Sequence, residues 1–125
     1  MKNPDEFSEK PWDIKYTDIA EWDLDNVHDY ISETLIEPEI AEKMSNRIMD
    51  AVDELDHQPM RFRMYDHEPW KSVGLRVMTV RNYSVFYVPV ETQNRVWIIR
   101  IMYSKRDFER HLKTPDDYNL ELPQK

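Results

Sequence analysis

Residue patterning predicts an α+β fold: a short N-terminal strand, an antiparallel helical hairpin, a three-stranded antiparallel meander and a short C-terminal helix. Three observations carry this expectation. Between residues 18 and 55 apolar side chains recur largely every three or four positions, the spacing of a helix face. Between residues 75 and 102 they form short β-branched and aromatic runs separated by polar turns, the signature of strands joined by hairpins. Pro38 and Pro59 bracket the second helical stretch, where proline suits a helix start or ends one.

Residues 1–11 have no apolar periodicity and include Pro4 and Pro11, so they are expected to form a loose arm. Trp12-Asp13-Ile14-Lys15-Tyr16 alternates large apolar with charged residues, the period of a half-buried strand. Thr17 or Asp18 can cap a helix over 18–35, with Ile19, Trp22, Val27, Tyr30, Ile31 and Leu35 at largely helical spacings. A second helix follows Pro38, with Ala41, Met44, Ile48, Val52 and Leu55 on one face. Residues 60–72 are irregular and are expected to form a long loop. Strands are expected over 75–80, 83–88 and 96–102, then a short helix over 105–112 and an acidic tail over 113–125. The domain proper is thus expected to span 12–112.

Composition excludes several chemistries. At 125 residues the chain supports one core. It has no Cys, which removes disulfides and thiolates, and its four His show none of the close pairing that metal sites use. Its single Gly, Gly74, leaves no Gly-rich phosphate loop, so neither a metal nor a nucleotide cofactor is expected. No apolar run approaches the ~18 residues of a membrane span, and a cytoplasmic location without membrane attachment is the expectation. The charge changes sign along the chain. Residues 1–60 hold 17 acidic against 5 basic residues, a net −12, whereas 61–113 hold 11 basic against 5 acidic, a net +6. A basic, aromatic-rich half points to a polyanion or an acidic protein as partner, because Arg offers planar paired donors to phosphate and carboxylate.

Gly74-Leu75-Arg76-Val77 in the second strand, Asn82-Tyr83-Ser84-Val85-Phe86-Tyr87 in the third and Ile98-Ile99-Arg100-Ile101-Met102-Tyr103-Ser104-Lys105-Arg106-Asp107 from the fourth follow an acidic helical hairpin. In this order and spacing the chain resembles the RelE/ParE superfamily of bacterial type II toxins. The resemblance implies a small sheet wrapped by two helices, a concave target-binding face and a cognate protein antitoxin. It leaves two activities open. RelE-like members cut messenger RNA on the ribosome without a metal, whereas ParE-like members poison DNA gyrase on the same fold. The expectation leans to RNA cleavage by an endoribonuclease, with gyrase poisoning as the alternative and an interaction module without toxicity as a third possibility.

Cleavage of RNA at a 2′-hydroxyl needs a base, an acid and a stabiliser for the phosphorane charge. The resemblance places basic residues of this kind at Arg76 and Arg106, each of which has an ordinary alternative as a surface ion pair. RelE-like nucleases often carry Arg where this chain has Ser84, and a C-terminal Tyr where it has none. Arg81 and His111 are the nearby substitutes, as charge stabiliser and as acid or base. Tyr83, Tyr87 and Tyr103 can stack on bases or fill the sheet. Arg61, Arg63, Lys71 and Lys105 can extend a nucleic-acid-binding surface, and Arg61, Arg63 and Lys71 can equally receive an antitoxin's acidic residues.

Overall fold

The computed structural model describes residues 10–29 and 38–118. Residues 1–9 of the expected arm over 1–11, the end of the first helix over 30–35 and the part of the expected tail beyond 118 lie outside the described residues. One mixed sheet is flanked by helices on both faces. Its strands are β1 (Asp13–Tyr16), β2 (Arg63–Met64), β3 (Arg76–Val80), β4 (Tyr83–Val90) and β5 (Arg95–Tyr103), in the order β1-β5-β4-β3-β2. The expected meander is present as β3-β4-β5, with Thr79 opposite Ser84 and Tyr83 opposite Tyr103. Two strands extend it. β1 runs parallel to β5, with Ile14 opposite Val96, and the short β2 pairs antiparallel with β3.

Helices α1 (Asp18–Asp29) and α2 (Pro38–Asp53) form the hairpin. Thr17 is the residue that caps α1: its hydroxyl accepts from Ala20 N–H at 3.0 Å and donates to Ile99 C=O at 2.9 Å, tying the helix start to the sheet. Ala41, Ser45, Ile48 and Val52 make the buried stripe of α2. They pack with Ala20, Val27 and Leu55 against Met78, Val85, Tyr87, Val96, Ile98 and Ile101 on one sheet face.

The opposite face is closed largely by segments expected to be loop or tail. Residues 60–72, expected to be irregular throughout, contain part of a 3₁₀ turn, β2 and the start of α3 (Trp70–Val73). Gly74 ends α3 at φ 94°, a conformation open to glycine, and its N–H donates back to Trp70 C=O and Lys71 C=O. Helix α4 (Phe108–Leu112) starts at the cap Asp107. The packing does not end at Leu112, because a turn over Pro115–Tyr118 brings Tyr118 edge-on to Trp70 at 5.5 Å. The Trp70 indole N–H donates to Lys113 C=O at 2.8 Å, and the Tyr118 hydroxyl donates to Leu112 C=O.

An ion pair not foreseen from sequence joins these layers. Arg100 donates twice to Asp23, at 2.7 and 2.9 Å, and once to His111 C=O at 2.9 Å, while Asp23 also accepts from Ile101 N–H. The two side chains are 12% and 5% exposed. The Asp23 hydrogen bonds hold the Arg100 guanidinium protonated above its ordinary range, more than burial opposes it. Hairpin, sheet and C-terminal segment thus share one charge-assisted knot.

Candidate functional site

At the end of the sheet where the β3-β4 turn meets the exit of β5, a cavity of about 270 Å3 opens. Thr79 and Ser84 face each other across β3 and β4 and both line it. Ser84 is buried, and its hydroxyl lies 2.9 Å from that of Ser104, which follows β5. Backbone bonds set this corner: Ser104 N–H donates to Asn82 C=O at 2.8 Å, and Arg106 N–H to Tyr103 C=O at 3.0 Å. Phe108 of α4 closes one wall, held edge-on against Phe86 at 4.7 Å. Around the cavity stand Arg63 from β2, Arg81 from the turn and Lys105 beyond β5, all exposed. Tyr103, 39% exposed and edge-on to Tyr83 at 5.7 Å, adds an aromatic rim.

The structure therefore brings together Arg63, Arg81, Tyr103 and Lys105 from the residues singled out in the sequence. It disperses the others. Arg76 lies outside the cavity lining and donates from Nη1 to Met60 C=O at 2.8 Å and Phe62 C=O at 2.7 Å. Arg61 lies over the Phe62 ring at 4.8 Å and donates to the carbonyls of His57 and Gln58. Lys71 pairs with Asp66 at 3.2 Å. Arg106 is exposed in the turn before α4, beside the cavity-lining Lys105. His111 lies on α4, outside the cavity lining, and gives its carbonyl to Arg100.

Tyr87 corrects the stacking expectation. It is fully buried, and its hydroxyl donates to Pro59 C=O, so no ring face is available to a base. Burial pushes its pKa up to about 12 against the opposing pull of Arg76 and Arg61. Arg76 and Tyr87 thus both serve to fix the segment that carries Pro59–Phe62, a role the sequence could not reveal because those acceptors are backbone carbonyls of an irregular stretch. The Ser84–Ser104 pair was also missed. Its signal was visible in part, since Ser84 lies near the start of the third expected strand and Ser104 just past the end of the fourth, which a hairpin brings side by side.

Chemically, the corner supplies positive charge and hydroxyl donors, with no carboxylate among its lining residues. Among the described residues no group of three or more His, Cys, Asp or Glu is placed to hold a metal, and no helix is long and apolar enough to cross a membrane. Residues 14–108 match the family model described as the ParE toxin of the type II toxin-antitoxin system parDE. Among solved structures, the chain is similar to one described as the chromosomal ParDE toxin-antitoxin system of P. aeruginosa. That similarity holds at 27% identity and a TM-score of 0.62 over 75% of this chain and 97% of the other. It also shares its fold with the toxin-antitoxin complex RelBE2 of Mycobacterium tuberculosis, at 19% identity and a TM-score of 0.53 over 74% and 91% of the two chains. No curated protein matches it. With its helical hairpin, mixed sheet and family match extending from β1 to the start of α4, the chain belongs to the ParE toxin family of type II toxin-antitoxin systems, within the RelE/ParE superfamily.

Proposed function

We propose that this toxin acts as a non-enzymatic poison of DNA gyrase and is held in check by a cognate protein antitoxin. The carrying observation is the dispersal of the groups that RNA cleavage would need around one phosphate. Arg76 is spent on two carbonyls, Ser84 stands where the nucleases often have Arg, and His111 lies outside the cationic cavity. A general acid or base must come within hydrogen-bond reach of the proton it moves, and the cavity lining offers no His and no carboxylate for that task. The match to the ParE model favours the same reading. Purified toxin is expected to inhibit supercoiling by gyrase and to trap gyrase-DNA complexes. In cells, pulse labelling after induction without the antitoxin should show DNA synthesis stopping before protein synthesis. An early stop in translation, with toxin-dependent 5′ ends in messenger RNA, overturns it.

Ribosome-dependent messenger RNA cleavage is the second reading, supported by the clustered cations at Arg63, Arg81 and Lys105. As for the antitoxin, the outer side of the acidic hairpin exposes Ile19, Trp22, Ile40 and Met49, with Trp22 63% exposed. An amphipathic helix with apolar anchors and basic flanks fits that surface. Trp22→Ala is expected to weaken the toxin-antitoxin complex, and unchanged affinity places the interface elsewhere.

A further inference from the structure

Eleven Lys and Arg lie between residues 61 and 113, and their fates differ. Arg61 and Arg76 donate to backbone carbonyls, and Lys71, Arg95 and Arg100 pair with carboxylates. Arg63, Arg81 and Lys105 do neither: no carboxylate of the described residues lies within ion-pair distance of them. These three come from separate elements and converge on one cavity. Like charges left without counter-charges repel one another, and a bound anion removes that cost.

We infer that this cavity is a phosphodiester-binding site, through which the toxin grips the DNA backbone directly. Three features select a phosphate group. The cations approach from three elements, which suits an acceptor with oxygens in several directions better than a planar carboxylate. The Ser84 and Ser104 hydroxyls share one hydrogen bond between them, so their mutual contact uses one proton and leaves the other to donate. No carboxylate lines the cavity, so nothing in its wall repels an anion. Tyr103, exposed at the rim, offers a ring to the neighbouring base. Arg81 is moreover held at φ 55°, in the left-handed region that disfavours a residue with a Cβ.

The inference deepens the gyrase reading, on which it depends only for where the DNA is met. The test is fluorescence anisotropy of a short single-stranded oligodeoxynucleotide with the full-length toxin freed of antitoxin, with inorganic phosphate and a glutamate-rich peptide as competitors. The double variant Arg81→Gln, Lys105→Gln is expected to lose roughly tenfold in affinity and to show a shallower salt dependence, whereas Arg110→Gln, away from the cavity, should match the parent. Ser84→Ala should weaken phosphate competition, with circular dichroism verifying the fold. Equal oligonucleotide affinity in parent and double variant overturns the site. So does tighter binding of the glutamate peptide than of the oligonucleotide, which would assign the cavity to an acidic protein. A parallel supercoiling assay separates the two ideas. Gyrase inhibition that persists in a double variant with unchanged DNA affinity removes the site and keeps the reading. A parent that binds DNA through these residues yet leaves gyrase untouched keeps the site and removes the reading.

Discussion

The two faces of the sheet treat their charged and polar groups in opposite ways. On the hairpin face, Arg76 and Tyr87 turn onto the carbonyls of Met60, Phe62 and Pro59, while the Asp23–Arg100 knot ties α1 to β5 and to the C-terminal segment. At the open end of the other face, Arg63, Arg81 and Lys105 stand around a cavity without a carboxylate partner among the described residues. Both sets belong to the same basic half of the chain. The difference teaches that a positive stretch is not one functional surface: part of it holds the fold together and part remains available for a partner.

The sharpest way to break this contrast is to remove the acid of the knot. Asp23→Ala leaves the Arg100 guanidinium buried without its counter-charge and is expected to cost about 3 to 5 kcal/mol, read as a lower urea midpoint. Arg76→Met comes next. It strips the donors from two part-buried carbonyls and is expected to lower stability by about 2 kcal/mol while leaving oligonucleotide affinity at the parent level. A large affinity loss with little destabilisation would return Arg76 to the ligand site. Neutralising Arg63, Arg81 and Lys105 together should move stability by less than about 0.5 kcal/mol, since these exposed cations make no ion pairs with described residues.

Alkaline titration sharpens the same contrast by a smaller margin. Tyr16 and Tyr87 both have pKa values pushed up to about 12, chiefly by burial, with Asp53 and Glu21 adding to the rise at Tyr16. The folded state therefore keeps these phenols neutral at a pH where the unfolded chain ionises them. Their contribution is fully present below pH ~10 and is lost as pH rises towards 12. Denaturation midpoints should fall across that window, and Tyr87→Phe should flatten the fall. An unchanged slope in that variant would mean that Tyr87 ionises as easily folded as unfolded.

Much of the architecture was legible because it rests on local periodicity. The stripe Ala41, Ile48 and Val52 announced α2, and the runs through Val77, Val85 and Ile99 announced the meander to within a residue or two at most ends. What stayed hidden depends on contacts between distant segments. The pairing of β1 with β5 joins Asp13 to Arg95, and no turn signal marks it. β2 has two residues, too few to show a period. Tyr118 sat in a stretch dominated by Pro and Asp, and only Trp70 and Leu112 reveal that it packs. For the site, the positive charge of the region was readable but its division was not. Arg61 and Arg76 look like Arg63 and Arg81 in a sequence, and the carbonyls that claim the first two are invisible there.

The left-handed backbone at Arg81 has a consequence for how this protein can change. A residue with a Cβ at φ 55° carries a conformational cost of about 1 kcal/mol or more that Gly escapes and Asn lessens. Random variation screened for thermal resistance alone should therefore enrich Gly or Asn at position 81, and each such gain would erase a cation from the cavity mouth. Under the inferred phosphodiester site, laboratory evolution towards a hardier protein would in this way weaken its grip on DNA, whereas selection for that grip would hold the arginine in place.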